Sequence, residues 1–230
     1  MPFLRVGDLR LRYRIDGGSP PVLVIGGHMQ PLDSWALQVR DMKNHFRVVR
    51  FDNRGTGLSD APPGPYSMEQ MAQDAVTLID HLRIRRAHVV GVSMGGMIAQ
   101  HLAIRHPERV NRMVLISTNA GFARPEFRGM LRWLAHSPLA DRWPLRGFLG
   151  QLGAMAEHDT RKRLKEIKAP TLVMVGQNDS LTPVRYAEEL AGGIPGAELE
   201  VVPGTTHLMI VERWQECNRR IIGFLRDNGN

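Results

Sequence analysis

Ser93, Asp179 and His207 are the residues whose types and placing could together do nucleophilic chemistry. A serine hydroxyl is a poor nucleophile near neutral pH. It needs a base to take its proton, and the base needs an acid to orient it. Ser93 sits in "VVGVSMGGMIAQ" at 89–100, where an apolar run leads through Gly91 to the serine, then Gly95, then apolar residues at helical spacing. A sharp strand-to-helix turn needs residues without side chains on either side of the serine, because neighbouring backbone passes close by. Such a turn exposes the hydroxyl at the positive end of a helix. The bland alternative is a small residue in a tight turn.

The base and the acid follow from where strands end. In an open parallel sheet, ligands bind beyond the carboxyl ends of the strands, so working side chains should follow a strand directly. Nine histidines compete. His101 and His106 lie on the helix after the serine and point away from its start. His45 and His81 end helices, and His88 begins a strand at the wrong end of the sheet. His136 and His158 lie in or beside an insertion. His207, in "VVPGTTHLMIVERW", follows the last strand and is the expected base. Asp179, in "VMVGQNDSLTP", comes three residues after Gly176 closes a strand. The rival position, "STNAG" after 110–117, holds no carboxylate. The order serine, aspartate, histidine is that of the nucleophile-elbow hydrolases rather than of the two protease arrangements. Two backbone donors should hold the oxyanion. Met94 N–H is one, and His28 N–H, in "IGGHMQPLDSW", is preferred over Met29 N–H for the other. Met29, Phe122, Trp133 and Met209 are candidate pocket residues, with ordinary core packing as the alternative for methionines.

These side chains need a framework. Residues 3–15 alternate at period two and read as two antiparallel strands turning near Gly7-Asp8. The apolar runs at 21–27, 47–52, 87–92, 110–117, 170–176 and 197–204 read as strands, those buried on both faces being continuously apolar. Helices are expected over 34–45, from the Ser67/Gln70 capping box to about residue 82, over 94–106, 184–191 and 212–227. Strands alternating with helices predict an α/β fold with a mostly parallel sheet and right-handed crossovers. The alternation breaks once. Residues 120–158 carry no strand signal, only short helical fragments with Phe122, Phe127, Trp133, Trp143 and Phe148. This reads as a short helical cap inserted into a core made of 1–119 and 159–230.

In this order, "GVSMGG", "DNRGTGLSD" at 52–60, "GQNDSLTP" and "PGTTH" resemble the α/β-hydrolase superfamily, and most of all its esterase, lactonase and haloperoxidase-like branch of serine hydrolases. The likeness covers nearly the whole chain and is weakest over 120–160. It implies a twisted sheet with helices on both faces. It implies attack by Ser93 on the carbonyl of a small or medium apolar carboxylic ester, with His207 taking the proton. Met94 and His28 N–H would hold the oxyanion, and water would release an acyl-enzyme. The same triad would serve a lactonase, a thioesterase, a C–C bond hydrolase or a perhydrolase. A non-hydrolytic biosynthetic enzyme or a small-molecule binder on this fold is the remaining alternative. In the family "D-x-R-G-x-G-x-S" is mainly a structural loop, so Asp52, Arg54, Gly55, Gly57 and Ser59 are scaffold. Two features depart from the pattern. Gly26-Gly27-His28 stands where the oxyanion loop usually begins His-Gly, and the cap is short, leaving the pocket open or completed by a second subunit in a homodimer through the cap.

Composition narrows the rest. The 230 residues suit one α/β domain with an insertion, and 43% hydrophobic residues allow a substantial core. The formal charge of +7 comes from scattered bases. The densest cluster, "RKRLKEIK" at 161–168, is broken by Glu166 and lacks the interleaved aromatics of a base-stacking groove, so no nucleic-acid partner is expected. Cys217 alone forms no intrachain disulfide and reads as structural. No clustered His, Cys, Asp and Glu spacing suggests a metal, and no cofactor motif is present. The amino terminus lacks the apolar stretch of a signal peptide, and no run approaches the roughly 20 residues of a membrane span. The expectation is a cytoplasmic protein with no membrane partner.

Overall fold

The period-two pattern near the amino terminus becomes β1 (Phe3–Val6) and β2 (Leu9–Asp16), paired antiparallel across the expected Gly7-Asp8 turn. The protein is described by a computed structural model that covers residues 2–122, 125–135 and 145–227. The apolar runs become β3 (Pro21–Ile25), β4 (Arg47–Phe51), β5 (Ala87–Val92), β6 (Val110–Ile116), β7 (Thr171–Gly176) and β8 (Glu198–Val202). One eight-stranded sheet results, in the order β1-β2-β4-β3-β5-β6-β7-β8. β2 meets β4 antiparallel, and every pairing from β4 to β8 is parallel.

Strand side chains alternate between two apolar layers, as the pleat requires. Leu23, Val89, Leu115 and Val173 face one layer with α2 (Met68–His81), α3 (Met94–Arg105) and α6 (Val184–Gly193). Val24, Val90, Val114 and Met174 face the other, with α1 (Ala36–Met42) and α8 (Trp214–Arg226). Both faces are thus covered, which is why the central strands are largely apolar rather than alternating. Cys217 is fully buried in the second layer, and burial raises its thiol to about 11, an inert structural cysteine.

Several boundaries differ from expectation. The helix expected over 34–45 is a 3-10 turn (Leu32–Trp35) followed by α1, which stops at Met42. Ser67 caps α2 by accepting Gln70 N–H at 3.1 Å. The closing helix is split: α7 (Met209–Glu212) precedes α8. The fragments expected between β6 and β7 are two fuller helices, α4 (Pro125–Ala135) and α5 (Leu145–Glu157), packed on each other. The Phe127 side chain, His136 and Trp143 lie outside the described residues. Among the described residues, no helix is long and apolar enough to cross a membrane.

A buried polar cluster fixes the return from these helices to the sheet. His158 Nε2–H donates to Asn119 O at 3.0 Å, and its Nδ1 faces His101 Nε2 at 3.2 Å. Thr160 N–H donates to Ala120 O at 2.7 Å. Burial, then the nearby His101, push His158 down to about 3. At the opposite end of the sheet, burial, with Arg112 and Arg86, pushes His88 down to about 4. Both imidazoles are neutral when folded and ordinary when unfolded, near 6.5. Their contribution is complete above that value. It is lost as pH falls, because the unfolded chain takes up protons that the folded chain refuses. Each histidine should cost about 1.4 kcal/mol per pH unit in this window. Urea unfolding at pH 5.5 and 4.5 should therefore show a slope of about 2.5 kcal/mol per pH unit from the pair, and His158→Gln should remove about half of it.

Candidate active site

The turn between β5 and α3 is built as the glycine spacing predicts. Ser93 has φ 52° and ψ −119°, a strained backbone for a residue with a side chain. A Cβ on Gly91 would collide with the Gly95 carbonyl, and one on Gly95 with the Ile25 carbonyl of β3. The corner therefore exists only with glycine at both positions. Ser93 N–H donates to Ile116 O at 2.9 Å, and the Thr118 hydroxyl donates to Ser93 O at 2.7 Å, so the next strand holds the turn from both sides.

His207 and Asp179 meet Ser93 at this edge. His207 Nε2 lies 3.2 Å from Ser93 Oγ, and His207 Nδ1 lies 2.8 Å from Asp179 Oδ2. A carboxylate can only accept, so it fixes the imidazole proton on Nδ1 and leaves Nε2 free to accept from the serine. The Asp179 side chain is fully shielded from solvent. Burial pushes its carboxyl up, but His207 and the N–H and hydroxyl of Thr182 outweigh this and hold it below the usual carboxylate value. Leu181 and Thr182 N–H donate to Oδ1 at 3.0 and 2.8 Å, and the Thr182 hydroxyl donates to Oδ2 at 2.7 Å. Sequence reasoning missed Thr182, though the aspartate-initiated turn "DSLT" signals N–H donors two and three residues on.

The loop after β3 lies alongside. Gly27 approaches the serine so closely that an added Cβ would lie 3.3 Å from Ser93 Cβ. Its N–H donates to Gln30 Oε1 at 2.7 Å, and Met29 N–H donates to Gln151 Oε1 at 2.9 Å. Among the described residues, the N–H groups of His28 and Met94 have no hydrogen-bond partner. The His28 ring turns to α5, packing on Phe148 at 4.6 Å between centroids, with Nε2–H donating to Phe148 O at 3.1 Å. Burial pushes this imidazole below its ordinary value, against the opposing effect of that bond.

The four candidate pocket residues have unlike surroundings. Met29 is partly exposed and Phe122 half-buried against the first apolar layer. Trp133, on α4, is 72% exposed, whereas Met209 is fully buried in the second layer. The "D-x-R-G-x-G-x-S" residues act on one another and on neighbouring loops. Buried Asp52 accepts Leu32 N–H at 2.7 Å and Leu58 N–H at 2.9 Å, and Arg54 grips Asp74 with two bonds of 2.7 Å. Among the described residues, no three His, Cys, Asp or Glu side chains gather as metal ligands.

Comparison with known proteins gives matching answers along the chain. A family model described as the alpha/beta hydrolase fold matches residues 20–152, and one described as TAP-like protein matches residues 152–229. A putative carbamate hydrolase, RutD, of Azorhizobium caulinodans is 28% identical over 97% of this chain and 98% of its own length. 3-Oxoadipate enol-lactonase 2 of Acinetobacter baylyi is 30% identical over 95% of this chain and 94% of its own. The crystal structure of the enol-lactonase from Burkholderia xenovorans superposes with a TM-score of 0.89 at 31% identity, covering 98% of this chain and all of that one.

The elbow's steric demand is testable by stability alone. Gly95→Ala drives a methyl group into the β3 backbone and should destabilise the fold by about 3 kcal/mol, the upper end of ordinary overpacking. Urea denaturation should show this as a lower midpoint with an unchanged slope.

Proposed function

The chain belongs to the α/β-hydrolase family and is a hydrolase, and from that premise we propose that it cleaves small to medium apolar carboxylic esters through an acyl-enzyme on Ser93. The observation that carries this reading is the unbroken hydrogen-bonded series from Ser93 Oγ through His207 to Asp179. His207 Nε2 takes the serine proton as Oγ attacks the ester carbonyl, and Asp179 steadies the imidazolium that forms. Negative charge then grows on the former carbonyl oxygen. Met94 N–H and His28 N–H, both without another partner among the described residues, are the donors that receive it. His207 next protonates the departing alcohol and deprotonates the water that releases the acid.

The apolar preference rests on exposed apolar residues next in sequence to residues of the site. Met29 follows His28, Leu181 precedes Thr182, and Leu208 follows His207, and all three are exposed. A second reading, a lactone as the ester, is favoured by the enol-lactonases at 30% and 31% identity. A lactone opened by Ser93 gives an acyl-enzyme whose alcohol stays tethered, so the same residues serve both readings.

Turnover of p-nitrophenyl acetate and butyrate should be readily measured, and Ser93→Ala should lower kcat by about 10⁶. Asp179→Asn should lower kcat by roughly 10³–10⁴ with little change in KM, because the imidazole is then held in the wrong tautomer. A phenylphosphonate probe should add one adduct, on the tryptic peptide containing Ser93. A folded protein with neither label nor turnover would sink the proposal. Running an enol-lactone and a saturated γ-lactone beside the open-chain esters decides between the two readings by kcat/KM.

A further inference from the structure

We propose that Gln151, on insertion helix α5, is a positioning residue that sets the oxyanion loop: by holding Met29 N–H it leaves the adjacent His28 N–H as the donor that faces the reacting carbonyl. This rests on the serine-hydrolase reading above and adds to it a residue outside the triad and outside the loop itself.

Gln151 is fully buried, and its amide is committed at both ends. Oε1 accepts Met29 N–H at 2.9 Å, while Nε2 donates to Arg54 O at 2.8 Å and to Thr56 Oγ1 at 2.7 Å. Met29 N–H can only donate and Arg54 O can only accept, so the amide has one orientation. Met29 itself has φ 54°, the left-handed region, which a methionine adopts only where its surroundings impose it. On the other side of His28, Gly27 N–H is tied to Gln30 Oε1. Two side-chain amides thus occupy the N–H groups that flank His28, and the single one between them stays free.

The post from which Met29 hangs is rigid. Arg54, whose carbonyl Gln151 grips, is clamped by buried Asp74 through two bonds. α5 is seated directly on this loop, since a Cβ on Gly147 would collide with Gly55 backbone and one on Gly150 would press on the Tyr66 ring. Phe148 of the same helix takes the His28 ring. α5 therefore orients both the backbone and the ring of the loop that meets the nucleophile. The rival role, in which Gln151 merely docks α5 onto the 53–57 loop, would be shared equally by its contact with Thr56.

Steady-state hydrolysis of p-nitrophenyl butyrate by the full chain separates the two. Gln151→Met, of similar length but unable to accept, should lower kcat by about 10- to 100-fold with KM within about twofold, short of the 10²–10³ expected when a donor is deleted outright. Gln151→Glu, held protonated by its burial so that its hydroxyl still donates to Arg54 O, keeps an acceptor for Met29 N–H and should keep kcat within about fivefold of the parent. Thr56→Val, which removes only the docking bond, should stay within about twofold. Equal losses in Gln151→Met and Thr56→Val, a change in KM alone, or a Gln151→Glu as slow as Gln151→Met would each overturn the proposal. Should Gln151→Met fail to fold, Gln151→Asn, whose amide falls one methylene short of Met29, is read by the same criteria. Ser93→Ala is run in parallel. Turnover that survives it overturns the serine reading itself, whereas serine-dependent turnover indifferent to Gln151→Met overturns only the role of Gln151.

Discussion

The backbone at Ser93 is held in a conformation that a serine does not choose, and the arrangement around it follows from what holds it there. A φ of 52° with ψ −119° costs of order 1–3 kcal/mol for a residue with a side chain. That strain is offset by contacts available only in the folded sheet. Gly91 meets the Gly95 carbonyl, Gly95 meets the end of β3, and the end of β6 and the turn after it supply Ile116 O and the Thr118 hydroxyl to the two sides of the peptide. The corner is thus the meeting of three adjacent parallel strands with the start of α3. Relaxing it would turn Oγ away from His207.

The partners of Ser93 are positioned by a gentler device. Asp179 and His207 lie in the turns that follow β7 and β8, so the parallel register of those strands brings the turns to one edge. Within that edge the aspartate is fixed by Leu181 and Thr182 before it meets the histidine. A buried carboxylate needs such donors whether or not a reaction follows, because desolvation alone would protonate it. Here the same donors orient the acceptor that selects the histidine tautomer.

The third part of the site depends on contacts between distant segments. The loop after β3, the 52–60 loop and α5 interlock through glycine contacts and the Gln151 amide, with the Arg54–Asp74 pair beneath. Residues that the motif pattern marks as scaffold are scaffold in a specific sense: Arg54 presents its carbonyl at a fixed point because its guanidinium is immobilised. The two helices between β6 and β7 are longer than their sequence suggests for the same reason. Gly147, Gly150 and Gly129 lower helical propensity locally, but packing of α4 on α5 and of α5 on the loops overrides it.

Much of this was legible in the chain before it folded. Largely apolar runs mark the interior strands, because a strand buried on both faces has few polar positions to blur the signal, whereas β1 and β2 are marked by period-two alternation and β8, largely exposed, by its place in the strand–helix order. The nucleophile turn is readable because its steric demand falls within five consecutive residues, and Asp179 and His207 because each follows a strand end. Helix ends were less legible. α1 stops early and the closing helix divides at Arg213, where the cap bonds run to local backbone carbonyls and no capping side chain marks the boundary in the sequence. The burial of Met209 and the exposure of Trp133 were likewise undetermined, both being apolar residues at helical spacing. Gln151 gave no signal at all, because its partner is 122 residues away and a glutamine amide is equally at home in water. The sequence by itself determined which side chains are candidates for nucleophilic chemistry and which strands carry them, because those demands are local and periodic. Only the tertiary structure decided which N–H groups of the loop after β3 are taken and which are left without a partner among the described residues, because that depends on whether a distant acceptor such as Gln151 Oε1 is brought within reach, a contact no local pattern encodes.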